Sequence, residues 1–144
     1  MLYQNVTGDT FVPEGTPDGT LFVCVDSSWN IMPCVARPAS LEDCARGYWT
    51  KANLDAAHAA ECTWLMARWH GIIVGAWRIE RPRGATAWLP SYEESKETWP
   101  EDRPMPPPLR LACRLRRDDS VERFIGQKVR LGRSPNSLRG YFAN

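Results

Sequence analysis

The chain has 144 residues, a formal net charge of +1, 43% hydrophobic residues and 24% charged residues. This length suits one domain with a single core, and no stretch approaches the ~18 uninterrupted apolar residues of a membrane helix. The start of the chain lacks the basic and apolar regions of a signal peptide, and the five cysteines form no Cys-x-x-Cys pair. We therefore expect one reduced, cytoplasmic domain over residues 1–144, with no membrane attachment.

The charge is distributed unevenly along the chain. Residues 109–144 carry nine Lys/Arg and three Asp/Glu, a balance of +6, whereas residues 1–108 carry nine Lys/Arg and fourteen Asp/Glu, a balance of −5. A basic third on a nearly neutral protein is typical of a surface that binds a polyanion. A solvated charged face would also explain such a run, so the neighbouring residues are needed to distinguish this interpretation from a polyanion-binding surface.

The first half of the chain predicts short elements. Residues 1–19 are rich in Gly, Pro, Thr and Asp and predict an irregular arm or a weak edge strand. The run 20–26 predicts a strand. Ser40 is typical of the N-cap of a short helix over 41–46, and the Ala-rich segment 53–61 predicts a second helix.

A β-hairpin is predicted next. The runs 63–70 and 72–80 are both typical of strands, and the tight junction at His70-Gly71 favours a hairpin. Regular alternation in the second run would place Ile73 on the same face as Gly75 and Trp77, with Val74 on the opposite face.

The second half begins with a long loop. Residues 81–108 hold seven prolines and an acidic cluster, and loops of this length are usually functional or mobile. The segment 109–117 predicts one strand, apolar on one face and basic on the other: Leu111, Cys113 and Leu115 against Arg110, Arg114 and Arg116. Ser120 is expected to cap a short helix, and residues 128–144 to contain the last strand. The order of elements predicts an α+β fold, a small, partly open mixed β-barrel with short flanking helices.

Three stretches resemble a family of small bacterial PUA-like proteins. Residues 42–49 (EDCARGYW) resemble the "ARGxW" helix end of that family. Residues 64–79 resemble its hairpin, whose pattern "VLxxxxGxIVGxxxI" also occurs in EVE domains. Residues 124–142 resemble its C-terminal "YxGKxV…GxxNPIRYF", although Ser134-Pro135-Asn136-Ser137 stands where the family has Asn-Pro.

This resemblance, which covers residues 20–144, implies a PUA-like pseudobarrel, the superfold shared by EVE, YTH, ASCH and SRA domains. Members commonly bind nucleic acid, and several hold a modified base, flipped or unpaired, in an aromatic pocket beside the barrel. The resemblance also implies that Trp49 lies where related domains place this pocket. A fold alone does not fix a function.

A protein that recognises a modified base needs stacking surfaces for the base, polar groups for the base edge and cations for the flanking phosphates. Trp64 and Trp77 are expected in the core, because most tryptophans of a small domain pack there. The predicted base pocket comprises Tyr48, Trp49, Trp77 and Trp88. The predicted nucleic-acid contacts are Arg46, Tyr48, Trp49, Lys51, Arg110, Arg114, Arg116, Arg133, Asn136 and Arg139.

Motifs of other chemistries are weak or missing in the sequence. His58 and Cys62 share a predicted helix face and, with Cys44, would suggest zinc, but a fourth ligand and tight cysteine pairs are lacking. There is no Gly-rich phosphate loop, HExxH or GxSxG. We therefore expect no metal, no cofactor and no catalysis.

The sequence is interpreted as a nucleic-acid-binding domain that reads a modified base in DNA, such as 5-methylcytosine, by base flipping. Three alternatives stay open. The first is an RNA-binding PUA-like module, because stacking does not distinguish the sugars. The second is a protein-interaction or regulatory factor that uses the acidic loop 93–102. The third is a hydrolase acting on nucleotides or modified nucleic acid.

Overall fold

The computed structural model describes residues 10–26, 29, 41–47, 49–81, 87–90, 110–132 and 137–143. The strands in these ranges are β1 (Thr10–Phe11), β2 (Thr20–Cys24), β3 (Trp49–Thr50), β4 (Trp64–Trp69), β5 (Ile72–Glu80), β6 (Leu89–Pro90), β7 (Arg110–Ala112), β8 (Arg114–Arg116), β9 (Arg130–Leu131) and β10 (Leu138–Tyr141). The helices are α1 (Leu41–Arg46), α2 (Lys51–Ala56) and α3 (Asp119–Glu122), and a 3-10 turn spans Ala59–Glu61.

The described strands form three sheets. The largest has five strands in the order β10-β2-β4-β5-β8, in which β2 and β4 run parallel and the other neighbours antiparallel. A second sheet has the order β3-β7-β6, and β1 pairs with β9. The expectation of an α+β fold with many strands and short helices is confirmed. Over the described residues, the strands do not close into a barrel.

The five-stranded sheet is buried on both faces. The first face packs against α1, α2 and the 3-10 turn. Together they form the first cluster, which includes Leu21, Val23, Leu65, Trp77, Ile79, Cys44, Ala45, Leu54 and Ala59. The second face packs against the segments around β1, α3 and β9, and together they form the second cluster, which includes Phe22, Met66, Ile73, Ala76, Val12, Val121, Val129 and Leu131. Alternating residues of a strand point to opposite faces, so β2, β4 and β5 supply both clusters. Their polar residues are therefore found at strand ends and sheet edges.

A β-bulge interrupts the predicted hairpin. Ala67 pairs with Gly75 and Arg68 pairs with Ile73, so Val74 has no partner in the ladder. The expectation that Ile73 shares the face of Trp77 is therefore wrong: Ile73 lies in the second cluster, whereas Val74 packs against the first. An extra residue in one strand reverses the alternation on its two sides.

The same bulge fixes the register at the far end of the hairpin. Trp69 pairs with Ile72 beside the turn, and an unbroken ladder from that pair would place Thr63 opposite Arg78. The bulge places Trp64 opposite Arg78 instead. Since a shift by one residue changes the face of every side chain, the bulge determines which side chains meet across β4 and β5.

The basic segment 109–117 forms two strands, so the prediction of one continuous strand is wrong. Arg110–Ala112 joins the three-stranded sheet and Arg114–Arg116 joins the five-stranded sheet. Cys113 lies between them, and its backbone N–H donates to the Arg46 carbonyl over 2.8 Å instead of to a neighbouring strand. Arg114 and Arg116 are exposed and Cys113 is buried, in agreement with the predicted alternation, whereas Arg110 is half-buried.

Two helix boundaries differ from the predictions. Asp118 caps α3, because its side chain accepts from the backbone N–H of Ser120 over 3.0 Å, so Ser120 lies inside the helix. Thr50 caps α2, which ends at Ala56 rather than reaching Glu61. His58 is left-handed, with φ of 55°, and separates α2 from the 3-10 turn. Ser40 lies outside the described residues. No helix in the described ranges has the length and apolar character needed to cross a membrane.

Candidate nucleic-acid interface

The carboxyl ends of the parallel strands β2 and β4 lie at one end of the five-stranded sheet. Cys24 is opposite Arg68 in the parallel ladder, and the Val25 N–H donates to the Arg68 carbonyl over 3.0 Å. Arg68 is in turn opposite Ile73 of β5. On the other side, the Cys24 N–H donates over 2.8 Å to the carbonyl of Ser137, just before β10. Four neighbouring strands therefore end or begin here.

Basic residues occur at this end of the sheet: Arg68 and Arg139 lie on the second face, whereas Lys128 and Arg130 alternate with Val129 and Leu131 of the second cluster and point away from it. Lys128 forms a β-bridge with Ile72 next to the hairpin turn, and Arg130 follows in β9. Arg139 of β10 reaches the same segment, because its Nη1 donates to the Leu131 carbonyl over 2.9 Å. Lys128 and Arg130 are exposed, and Arg139 is half-buried.

Aromatic rings lie at the same end of the sheet, where Trp29 and Trp69 pack against the first cluster. Trp69 is half-buried, and its ring makes edge-to-face contacts with Trp29, at 6.1 Å between ring centroids, and with His70, at 4.2 Å. The Trp29 backbone N–H donates to the Val25 carbonyl over 2.9 Å, which holds this ring beside the strand end. His70 is exposed and left-handed, with φ of 48°, as a tight turn before Gly71 requires.

Asp26 is the carboxylate that meets this group within the described residues. Its Oδ1 accepts from the His70 backbone N–H over 2.8 Å, and its Oδ2 lies 3.9 Å from the imidazole Nδ1. We name the whole group the strand-end surface and define it as Arg68, Lys128, Arg130 and Arg139 with Trp29, Trp69 and His70. The group contains four cations, which favours an anionic ligand.

The arginines of β8 have a different electrostatic environment. Arg114 lies directly opposite Glu80 on β5. Arg117, next to the strand, donates from Nε and Nη2 to both carboxylate oxygens of Glu122 over 3.0 and 3.1 Å, and the hydrogen bond lowers the pKa of Glu122. Carboxylates therefore accompany these cations.

A stacked pair lies next to β8. Arg78 is opposite Trp64 on one side and Arg116 on the other, and its Cζ lies 5.2 Å from the centroid of the Trp64 ring. The hydrogen bonds from Ser120 are the main cause of the lowered pKa of Asp118, and the charges of Arg78 and Arg116 add to it. Trp64 was expected in the core but is only partly buried, so its ring is available for a cation–π contact with Arg78.

The segment predicted to form the base pocket is tied into the fold. The Trp49 indole N–H donates to the Ala45 carbonyl over 3.0 Å, and the half-buried ring packs against the first cluster. Arg46 is 13% exposed, with Nε on Asp43 at 3.1 Å and Nη1 on the Cys113 carbonyl at 3.1 Å. Arg46 therefore connects α1 to the point where the chain passes from β7 to β8.

Pairing of β3 with β7 places two more candidates near Trp49. Thr50 is opposite Arg110, and Lys51 follows directly, with its Nζ 2.7 Å from Asp55. Trp88 lies before β6, and its indole N–H donates to the Ala59 carbonyl over 3.3 Å. Trp77 is 9% exposed, and its ring covers Gly75 in the first cluster. Tyr48, Arg133, Asn136 and the acidic loop 93–102 lie outside the described residues.

The groups considered for metal binding or nucleophilic chemistry are not assembled into a site. His58 Nδ1 lies 3.5 Å from Glu61, whereas Cys62 is buried and its thiol donates to the His58 carbonyl. Burial raises the pKa of Cys62 to about 12, so the thiolate is scarce at neutral pH. The described ranges contain no group of three or more His, Cys, Asp or Glu residues that could hold a metal ion.

Sequence reasoning did not identify Arg68, Trp69 and His70 as members of the strand-end surface. One signal was available: Arg68 follows Trp64 and Met66 at intervals of two, which puts a charge on the buried side of an apolar strand. The parallel pairing of β2 with β4, which brings Asp26 and His70 together, has no local signature in the sequence.

Comparison of the chain with family models gives no match, and comparisons with curated proteins and with solved structures give none either.

Proposed function

We propose that this protein binds nucleic acid through the strand-end surface. The observation that carries the proposal is that four cations and three aromatic rings occur at one end of the sheet, with Trp29 and Trp69 on the first face and Arg68 and Arg139 on the second. Nucleic-acid binding without base pairing typically combines a cationic track for the backbone with aromatic faces for the bases. The strand-end surface offers both at one end of the sheet.

The two parts of the surface would have separate roles. Lys128 and Arg130 are exposed and follow each other at an interval of two along one segment, which suits contacts to successive phosphates. Trp69 and His70 end the neighbouring strand, where an unpaired base can approach their rings. The phosphate contacts would supply affinity, and the aromatic contacts would select the strand state or the base.

A PUA-like pseudobarrel, a cytoplasmic location and a preference for a modified base in DNA belong to the same proposal. They come from the sequence and its resemblance. RNA binding is the alternative within this class, and a 2′-hydroxyl contact would be needed to favour it.

The test is fluorescence anisotropy with labelled single- and double-stranded DNA and RNA, with and without methylated cytosine, over a range of salt concentrations. Lys128→Gln/Arg130→Gln removes two exposed cations from the strand-end surface. The slope of log affinity against log salt should become shallower by about 1.4–1.8, because each phosphate contact contributes about 0.7–0.9.

A matched control is Arg117→Gln/Arg123→Gln, which removes the same charge from the region of α3. Arg117 pairs with Glu122 and Arg123 stacks on Phe124, so the salt slope should stay close to that of the wild type. Arg114→Gln/Arg116→Gln forms a third arm, because the sequence predicts that these two arginines contact nucleic acid. A change of slope in this arm alone would assign the interface to β8 and contradict the proposal.

A further inference from the structure

Three large hydrophobic side chains are exposed among the residues that the structure describes: Phe11 at 36%, Ile72 at 39% and Ile125 at 45%. Two of them lie directly opposite a cation in an antiparallel ladder. Phe11 of β1 is opposite Arg130 of β9, and Ile72 of β5 is opposite Lys128 in the β-bridge. Residues directly opposite each other in such a ladder share a face, with Cβ atoms about 4.5–5.5 Å apart.

The two cations share a face as well. Lys128 and Arg130 are two residues apart, so their side chains project in the same direction about 6.6–6.8 Å apart along the chain. Val129 and Leu131 alternate with them and belong to the second cluster, so the cations face away from that cluster. We name this exposed surface the edge patch and define it as Phe11, Ile72, Lys128 and Arg130.

Trp69 borders the edge patch on the side of the first cluster. It is opposite Ile72 across the hairpin turn, so the two side chains share a face, and the half-buried Trp69 ring packs against the first cluster. One row across three chain segments therefore carries an aromatic ring, an exposed aliphatic side chain and a cation, in the order Trp69, Ile72, Lys128.

The edge patch makes two demands on a partner. The ion pairs of the described residues do not include Lys128 or Arg130, so these cations favour an anionic partner. Single exposed apolar side chains are ordinary, but Phe11 and Ile72 each adjoin a cation on the same surface, so a partner that covers the cations also meets apolar area. The partner should therefore carry negative charge and an apolar surface close together.

We infer that the edge patch binds a single-stranded segment of nucleic acid, an inference that rests on the proposed function and names the strand state. An unpaired strand offers a phosphate and an accessible base face in every nucleotide, so it meets both demands at once. A duplex presents its phosphates but keeps its base faces stacked inside, which leaves Phe11 and Ile72 without an apolar partner. Phosphates contact Lys128 and Arg130, and an unpaired base stacks on the ring of Phe11.

An anionic lipid surface would also supply charge and apolar contact. Phe11 and Ile72 are each more than half covered by the protein, which favours contact with the flat face of a base over insertion among lipid chains. The observations therefore favour a nucleic-acid strand, and a lipid surface becomes an outcome of the test.

The test is fluorescence anisotropy at one low salt concentration with three ligands: a single-stranded oligonucleotide, an abasic strand of the same length and charge, and the duplex of the first sequence. The wild type should bind the single strand at least about fivefold more tightly than the abasic strand, which is the lower end of the effect of one base stacked on an aromatic ring. Phe11→Ala should remove most of this difference. Its affinity for the abasic strand and for the duplex should stay within about twofold of the wild type, because those ligands use the cations alone.

Two more variants of Phe11 separate stacking from apolar burial, and thermal unfolding accompanies each. Phe11→Tyr keeps an aromatic face and should keep the difference between the single strand and the abasic strand, whereas Phe11→Leu keeps only apolar area and should lose most of it. If Phe11→Ala folds poorly, these two variants give the comparison. The matched control is Ile125→Ala, which truncates a more exposed apolar side chain in the turn after α3, where no ladder places a cation opposite it, and it should bind all three ligands like the wild type.

Failure of the inference and failure of the proposed function are distinguishable. Equal affinity of the wild type for the single strand and the abasic strand, or a difference that Phe11→Ala leaves unchanged, would overturn the inference and leave nucleic-acid binding intact. Absence of binding to all three ligands at low salt would overturn the proposed function and the inference with it. Sedimentation with phosphatidylserine vesicles that Phe11→Ala abolishes, without any preference for the single strand, would assign the edge patch to a lipid surface and would also overturn the inference.

Discussion

Replacing Gly75 by alanine tests whether Trp77 is fixed in the core or free to line a pocket. Gly75 follows the bulge in β5, and a methyl group there would overlap the six-membered ring of Trp77, with Cζ3 at 2.9 Å and Cζ2 at 3.0 Å. Trp77 is 9% exposed and lies in the first cluster, so its ring cannot turn towards solvent without emptying part of the core. Gly75→Ala should therefore destabilise the protein.

The magnitude follows from two opposing effects. Overpacking of a core by one methyl group costs about 1–3 kcal/mol, and the loss of glycine flexibility in the unfolded chain returns about 0.4–1 kcal/mol. We expect a net loss of about 1–2 kcal/mol in the free energy of unfolding. With an unfolding entropy of about 2.1 cal/mol/K per residue over 144 residues, this lowers Tm by about 3–7 °C.

A double-mutant cycle with Trp77→Phe identifies the cause. Phenylalanine lacks the indole atoms that the new methyl group would meet, so Gly75→Ala should cost about 1 kcal/mol less in the Trp77→Phe background. The assay is urea unfolding of the four proteins, with the slope m compared to check that the denatured states are alike. Additive effects, or a stabilising Gly75→Ala, would refute the packing of Trp77 over Gly75 and reopen Trp77 as a pocket residue.

Three further predictions concern individual groups. Trp49→Phe removes the hydrogen bond to the Ala45 carbonyl and should lower stability by about 0.5–1.5 kcal/mol in urea unfolding; oligonucleotide affinity per folded molecule, measured beside it, shows whether the ring also stacks on a base. Burial raises the pKa of Cys62 to about 12, so iodoacetamide at about pH 8 should label Cys62 far more slowly in the native protein than in urea. Peptide mass spectrometry measures the two labelling rates, and equal rates would contradict the burial of Cys62. The hydrogen bonds from Ser120 lower the pKa of Asp118. The Asp118 carboxylate therefore stabilises the fold above the unfolded pKa of about 3.9, and this stabilisation disappears as the pH falls through the pKa of the native state. The Tm difference between wild type and Asp118→Ala should shrink from about pH 6 to about pH 2.5, and a constant difference would contradict this linkage.

The hairpin shows what local patterns can predict. Two β-rich runs joined by His70-Gly71 gave β4 and β5 with nearly correct bounds, because turn chemistry and β propensity act over a few residues. The helix at Leu41–Arg46 was located in the same way. These elements depend on their own residues more than on distant contacts.

Elements that depend on distant contacts were predicted poorly. Cys113 ends β7 because its backbone bonds to Arg46, 67 residues earlier in the chain, and no local pattern encodes that bond. The bulge at Val74 was not predicted, although an isolated glycine in a strand, here Gly75, is a known sign of one. The predicted faces of Ile73 and Val74 failed for this reason.

The candidate site, too, was predicted only in part from the sequence. Charge counting drew attention to the C-terminal third, and Arg139 with the segment around Lys128 does contribute to the strand-end surface. Arg68 belongs to the predicted hairpin, of which only Trp64 and Trp77 were expected in the core, and it lies at the point where β2 and β4 end together. A site assembled from strands far apart in sequence cannot be read from any one of them.

The most direct test of the central claim is a two-dimensional NMR titration of ¹⁵N-labelled protein with a single-stranded oligonucleotide at low salt. The account predicts chemical-shift changes concentrated in residues 68–71 and 128–131, together with the indole N–H signals of Trp29 and Trp69. The changes should diminish as salt is added, because phosphate contacts release counterions. Changes concentrated in residues 114–116, or a spectrum that the oligonucleotide leaves unaltered, would contradict the assignment of nucleic-acid binding to the strand-end surface.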